Sequence, residues 1–187
     1  YNFHQSVFIL LPISFLINLF QIFKDQSAID LDFYKKILIY TVPFIVIFLI
    51  FISKAEINIS ILVGIILLIV SAKDFSKRVN KILNLLVSYE KSYLIIMGIV
   101  HGLTNLGGSL LTIIVYAKDF EKRKIRATIA ASYVTFAAFQ IVTLLVSGFD
   151  IDIKLSMILL SLTVALAIFI ATEKMIFPYI NAEVYRK

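Results

Sequence analysis

The sequence predicts an all-α, polytopic helical membrane protein, built as an inverted repeat around a broken or re-entrant Gly-rich helix. Three observations predict this class. Hydrophobic residues make up 60% of the 187 residues and charged residues only 16%, with a mean hydropathy of +0.97, whereas soluble domains average about 25% charged residues. The apolar runs are helical in length, unlike the roughly ten-residue alternating segments of a membrane barrel. Finally, the stretch Gly98-Ile-Val-His101-Gly102-Leu-Thr104-Asn105-Leu-Gly107-Gly108-Ser109 gathers four of the six glycines inside one apolar run, Tyr93 to Ala117.

The first apolar run extends from Gln5 to Phe23 and contains Pro12, Ser14 and Asn18. The second runs from Lys36 to Ser53 around Pro43, and the third, from Ile57 to Ala72, is short and borrows flanking residues. A proline inside a span removes a backbone hydrogen bond and bends the helix, which a membrane bundle tolerates when neighbours satisfy the freed carbonyl. From Lys73 to Ser92 the pattern changes. Lys73, Lys77, Arg78 and Lys81 alternate with Val79, Ile82, Leu83, Leu86 and Val87 in steps of three and four. That is an amphipathic helix lying at the interface, read here as a linker between halves.

The Gly-rich run follows, then a basic loop from Lys118 to Arg126. A fifth apolar run spans Ala127 to Val146 and a sixth spans Ile153 to about Phe177. Glycine destabilises a helix by about 1 kcal/mol per residue relative to alanine. The glycines therefore either break the helix to form a site or let helices pack closely with no ligand involved. Their density favours the break.

The segment Ala28 to Phe33 resembles Gly148 to Ile153, placing Asp30 and Asp32 onto Asp150 and Asp152 at an offset of 120 residues, and the same offset carries Lys54 onto Lys174. The expected organisation is a partial first repeat over 1–72 lacking its Gly-rich opening element, an amphipathic interfacial linker over 73–92, and a C-terminally truncated second repeat over 93–187. The opening Tyr1-Asn-Phe-His4-Gln5 has neither a basic start nor a cleavage site, so the chain reads as a slice of a longer protein.

Counting Lys and Arg by loop gives three, one, five, five, one and three along the chain. If the Gly-rich stretch crossed the membrane, its two five-charge flanks would face opposite sides. If it dips in and returns, the tally alternates between cytoplasmic and outer loops. The first run then descends inward and its equivalent, the fifth, runs outward, an arrangement common among secondary transporters.

The motif Gly98-x3-Gly102-x4-Gly107-Gly108-Ser-Leu-Leu, followed by Tyr116 and the basic loop to Arg126-Ala-Thr, resembles the second-repeat signature of the sulfite exporter TauE/SafE family of membrane permeases. Ser6 through Phe20, with the polar loop around Ile29-Asp30, is similar to that family's first repeat. The chain departs from the family in having no proline between Ser109 and Val115 and no first-repeat Gly-rich signature. The resemblance implies a multi-pass permease of the cell (inner) membrane that moves small sulfur-containing anions, such as sulfite or sulfonates, by alternating access. A coupling proton or sodium ion and a homo-oligomer are left open. The alternative is a membrane scaffold or assembly subunit without transport activity.

The residues themselves suggest how an anion would be held. A broken helix exposes backbone N–H groups at the start of its second half, near Leu106 to Ser109, and these with the helix dipole favour negative charge. Gly107, Gly108 and Ser109 form that start, and Thr104 or Asn105 either caps it or contacts the ligand. His101, on the first half, is either a titrating coupling group or a neutral imidazole bonded to a carbonyl. Ser14, Asn18 and Thr135 either converge on the pocket or bond to their own helices. Gln140 is costly in lipid and is expected to face the interior. Arg126 either attracts anions or only orients the chain.

Net charge is +6, but the basic residues sit in short loops where orientation in the membrane accounts for them, so no nucleic-acid partner is expected. Cysteine is absent, which excludes disulfides, thiolate metal sites and a cysteine nucleophile. No His-Glu-x-x-His, no Gly-x-Ser-x-Gly and no paired intramembrane aspartates occur, and His4 and His101 are the only histidines. No catalytic site, metal or cofactor is therefore expected; the partners expected are the bilayer and a small anion.

Overall fold

In the computed structural model residues 3–55, 60–72, 76–148 and 154–179 are described, and every regular element among them is helical. Among the described residues four segments are long and apolar enough to cross a membrane: Val7–Ala28, Leu31–Ala55, Lys122–Val146 and Leu155–Met175. They correspond to the first, second, fifth and sixth apolar runs. The second copy of the repeated loop, 149–153, lies outside the described residues, as do both flanks of the third run.

The chain divides into two compact units, one formed by Tyr1–Ile29 with Phe120–Lys187 and the other by Asp30–Asp119. Each unit takes segments from both halves of the proposed sequence repeat.

In the first unit, α1 (Phe3–Asp25) packs against α8 (Lys122–Val146) and, less extensively, against α9 (Leu155–Met175). The buried face of α8 is rich in small residues: Ala127, Ala130, Ala131, Ser132 and Ala137. Small side chains let helix backbones approach closely, which is how helices associate where the solvent is itself apolar. From α1 the core receives Val7, Phe8 and Leu11. By contrast, α9 buries no residue at all.

The second unit opens with α2 (Leu31–Tyr40), whose first turn is capped by Asp30: its carboxylate accepts the Phe33 amide at 2.8 Å. The helix is interrupted at Thr41, two residues before Pro43, and resumes as α3 (Val42–Ala55). Proline disfavours helical geometry at the residue before it, yet the ladder survives locally because the Ile45 amide still donates to the Thr41 carbonyl at 3.0 Å. The segment therefore remains one candidate span.

After α3 comes α4 (Ser60–Ala72), whose 13 described residues rise about 20 Å, short of the roughly 30 Å hydrocarbon core. The amphipathic segment is helical as α5 (Lys77–Ser88) and ends at a bend at Tyr89. The next helix, α6, begins at Glu90, inside the 73–92 segment.

The Gly-rich run forms two helices, α6 (Glu90–Thr104) and α7 (Gly107–Tyr116). They fold back on each other. The Tyr93 hydroxyl donates to the Leu110 carbonyl at 2.8 Å, and Lys118 Nζ reaches Glu90 Oε2 at 2.9 Å. Along one straight helix, Glu90 and Lys118 would stand about 40 Å apart. The run of 25 apolar residues is thus a helical hairpin whose two ends meet.

Candidate functional site

Six of the ten residues singled out by sequence lie at or near the turn of this hairpin. Asn105 ends α6 in the left-handed conformation, φ 60°, with its amide bonded to the His101 carbonyl at 2.8 Å. Asparagine tolerates this conformation better than most residues, so it is a fitting residue at which to reverse the chain. The Thr104 hydroxyl bridges the break, donating to the Val100 carbonyl at 2.7 Å and accepting the Leu106 amide at 3.1 Å.

Of the two residues offered for capping or ligand contact, Thr104 precedes the cap position of α7 and bonds the Leu106 amide, while Asn105 reverses the chain. The cap position is Leu106, whose side chain offers no acceptor to the first turn. The Ser109 hydroxyl donates to the Leu106 carbonyl at 2.9 Å and the Thr112 hydroxyl to the Gly108 carbonyl at 3.0 Å, so both hydroxyls are turned to the backbone.

His101 is only 2% exposed and lies directly under the start of α7. A Cβ added at Gly107 would overlap the His101 side chain and come within 2.9 Å of the Met97 carbonyl. Gly107 is thus required by proximity: the two arms of the hairpin touch there. Gly98 and Gly102 serve a different purpose. A Cβ at Gly98 would lie 2.5 Å from the Thr41 carbonyl oxygen and 3.0 Å from Phe44 Cβ, and one at Gly102 would lie 2.7 Å from the Ile45 carbonyl oxygen. These two glycines press α6 against α3, the close-packing role that was the alternative to a break. The cluster divides between both roles, with the contact extended by the Thr41 hydroxyl donating to the Leu94 carbonyl at 3.0 Å.

At the open end of the hairpin, Glu90 pairs with Lys36 at 2.9 Å and with Lys118 at 2.9 Å. Burial alone would raise the Glu90 carboxyl, but hydrogen bonds and charge from Lys36 and Lys118 outweigh it and hold the group below the ordinary glutamate value.

The other four predicted residues belong to the first unit. Asn18 Nδ2 donates to the Ser14 carbonyl at 2.7 Å and lies 3.3 Å from the Ser14 hydroxyl, so the pair is satisfied within α1. On α8, Thr135 is buried and its hydroxyl donates to the Ala131 carbonyl at 2.9 Å. Gln140, 1% exposed, faces the interior of the unit as its polarity requires. Ser132 and Thr143 continue a buried polar stripe along α8, each bonded to the carbonyl four residues back, at 2.7 Å and 2.6 Å.

Sequence reasoning missed a second polar centre. Arg126, 6% exposed on the first turns of α8, is bound by Asp25 at the end of α1 and by Glu173 at the end of α9, the latter at 2.7 Å. Arg123 reaches Asp25 at 2.6 Å and Lys24 reaches Glu173 at 2.6 Å. The Arg126 guanidinium also lies 4.0 Å from the centre of the Phe177 ring. The available signal was charge balance: Asp25 and Glu173 interrupt otherwise basic run ends. Arg126 is therefore committed to carboxylates, and the mouth-lining role that competed for it in the sequence finds no support in its contacts.

No family model, no curated protein and no solved structure matches the chain.

Proposed function

We propose that the chain is part of a membrane permease for small oxyanions of sulfur, sulfite or sulfonates, in the cell membrane, with the 90–118 hairpin re-entering the bilayer as one wall of the substrate site. The observation that carries this reading is the break at Asn105–Leu106, followed by a fold-back in which α7 starts on Gly107 and Gly108 behind a cap residue, Leu106, with no side-chain acceptor. Helix N-termini with glycine amides suit oxyanions because partial positive charge and backbone donors coincide there. The choice of sulfur anions rests on the resemblance to TauE/SafE permeases. The meeting of Glu90 with Lys118 supports re-entry, since it brings both flanks of the hairpin to one end.

Flux in proteoliposomes tests the proposal. Labelled sulfite or a sulfonate should accumulate down its gradient, and Gly108→Val, which adds bulk beside the α7 amides, should lower the rate at least about tenfold, the equivalent of about 1.4 kcal/mol. Single cysteines at Ser88 and Lys122, in a chain with no native cysteine, should be labelled from the same side. Labelling from opposite sides would rule out re-entry.

One observation favours the scaffold reading. Gly98 and Gly102 are consumed by packing, which a purely structural subunit would also need. Intact protein that moves no sulfur oxyanion would decide for it.

A further inference from the structure

We propose that the groove between α1 and α9 binds an anionic phospholipid, with the phosphate held between Lys24 and Lys174 and an acyl chain lying along Phe20, Phe169 and Ile170. The groove has a volume of about 190 Å³, and those five residues with Gln21 and Glu173 form its walls. On each helix the order is the same. Phe20 precedes Lys24 by one turn on α1, and Ile170 precedes Lys174 by one turn on α9. Both helices are candidate spans that end here, so the aromatic and aliphatic residues lie toward the span interior and the lysines at its end. A phospholipid has this same succession of parts, with charge at the interface and hydrocarbon below it.

The charge also fits. Asp25, Glu121 and Glu173 are the carboxylates at this end; Asp25 is paired with Arg123 and Arg126, and Glu173 with Arg126 and Lys24. Against these three stand Lys24, Lys122, Arg123, Lys124, Arg126 and Lys174, leaving a cationic surplus among the described residues. Lys174 is exposed and enters none of these pairs. Basic recesses between membrane helices on the cytoplasmic side favour anionic headgroups.

The apolar wall selects a lipid over a free anion. Phe20 and Ile170 are 62% and 45% exposed, and a soluble oxyanion gains nothing from them. The volume also falls below the roughly 300–1,000 Å³ of enclosed small-molecule pockets, which suits a chain lying in an open furrow. This site is separate from the hairpin, and its test does not depend on transport.

Native mass spectrometry of the detergent-purified protein provides that test, using phosphatidylglycerol and phosphatidylcholine with matched acyl chains. The wild-type protein should retain phosphatidylglycerol about tenfold better or more. Lys174→Gln should reduce this preference about fivefold, the effect of one lysine near an anionic surface, and Lys24→Gln/Lys174→Gln should bring it near parity. The charge-matched control Lys35→Gln/Lys54→Gln should keep it. Because Lys24 also holds Glu173, the Lys174→Gln single variant carries the test if the double variant unfolds. Parity in the wild-type protein, or an equal loss in the control, would overturn the proposal. Displacement of the lipid by millimolar inorganic phosphate would also overturn it, marking a site for free anions.

Discussion

One helix in each unit, α6 in the second and α9 in the first, is fastened by opposite means. In the second, α6 meets α3 at Gly98 and Gly102, where backbone touches backbone and no charge takes part. In the first, α9 buries no residue, yet its end is tied to α1 and α8 through Glu173, Arg126 and Asp25. The contrast follows from what a membrane offers as solvent. Apolar contact with a neighbouring helix is no better than contact with lipid unless the fit is close, so a helix that buries no residue needs another fastening. A charge network placed at the span end supplies one where burying ions is less costly than at mid-bilayer.

The comparison is broken most severely at Arg126. Arg126→Ala leaves Asp25 and Glu173 buried or half-buried without their main counter-charge, and should destabilise the first unit by about 3–5 kcal/mol, read as a fall in the thermal unfolding midpoint. Asp25→Leu/Arg126→Met, which removes both charges, should recover most of that loss. If the single variant melts like wild type, the network does not hold these helices together.

The matching test in the second unit is Gly98→Ala. One methyl group placed 2.5 Å from the Thr41 carbonyl oxygen forces α6 away from α3, at about 1–3 kcal/mol. Gly64, with nothing within 4 Å of an added Cβ, is the internal control. There the same substitution should be neutral or stabilise by up to about 1 kcal/mol through helix propensity. Equal effects at both positions would mean that the close approach contributes nothing. A smaller change, Tyr93→Phe, removes the bond to the Leu110 carbonyl and should cost about 1 kcal/mol, visible as faster hydrogen exchange in α7.

These contrasts also explain what the sequence revealed. Four spans were legible because length and apolar composition are one-dimensional properties. The break near Leu106 was legible because a Gly-Gly pair following Asn105 is costly inside a helix. The division of labour among the glycines was not: Gly98 and Gly107 are the same residue type, and only the positions of Thr41 and His101 separate packing from chain reversal. The Asp25–Arg126–Glu173 network was hidden because its members lie 101 and 47 residues apart, each reading alone as a loop charge. For Thr135 the sequence left ligand contact and bonding to its own helix open, and its hydroxyl donates to the Ala131 carbonyl of that helix, as do those of Ser132 and Thr143 to the carbonyls four residues back.

The smallest effect concerns the open end of the hairpin and is a matter of pH. Glu90 is held below its ordinary value by Lys36 and Lys118, so the folded form favours the charged carboxylate more than the unfolded form does. Its contribution is fully present above the unfolded value of about 4.3 and is lost as pH falls through the lower folded value. Both lysines are partly exposed, which limits the gain to the roughly 0.2–1 kcal/mol of exposed pairs. Acidification below about pH 4.3 should therefore loosen the first turn of α6 before the unit unfolds, measured as loss of amide protection between Tyr93 and Met97. Glu90→Gln should start from the lower protection and show no further fall over that window. Because α6 is held to α3 by glycine contacts that do not titrate, Gly98 and Gly102 should keep the middle of the helix protected throughout. If protection is lost along the whole of α6 at once, the charged end and the glycine contact form one cooperative unit and are not separate fastenings.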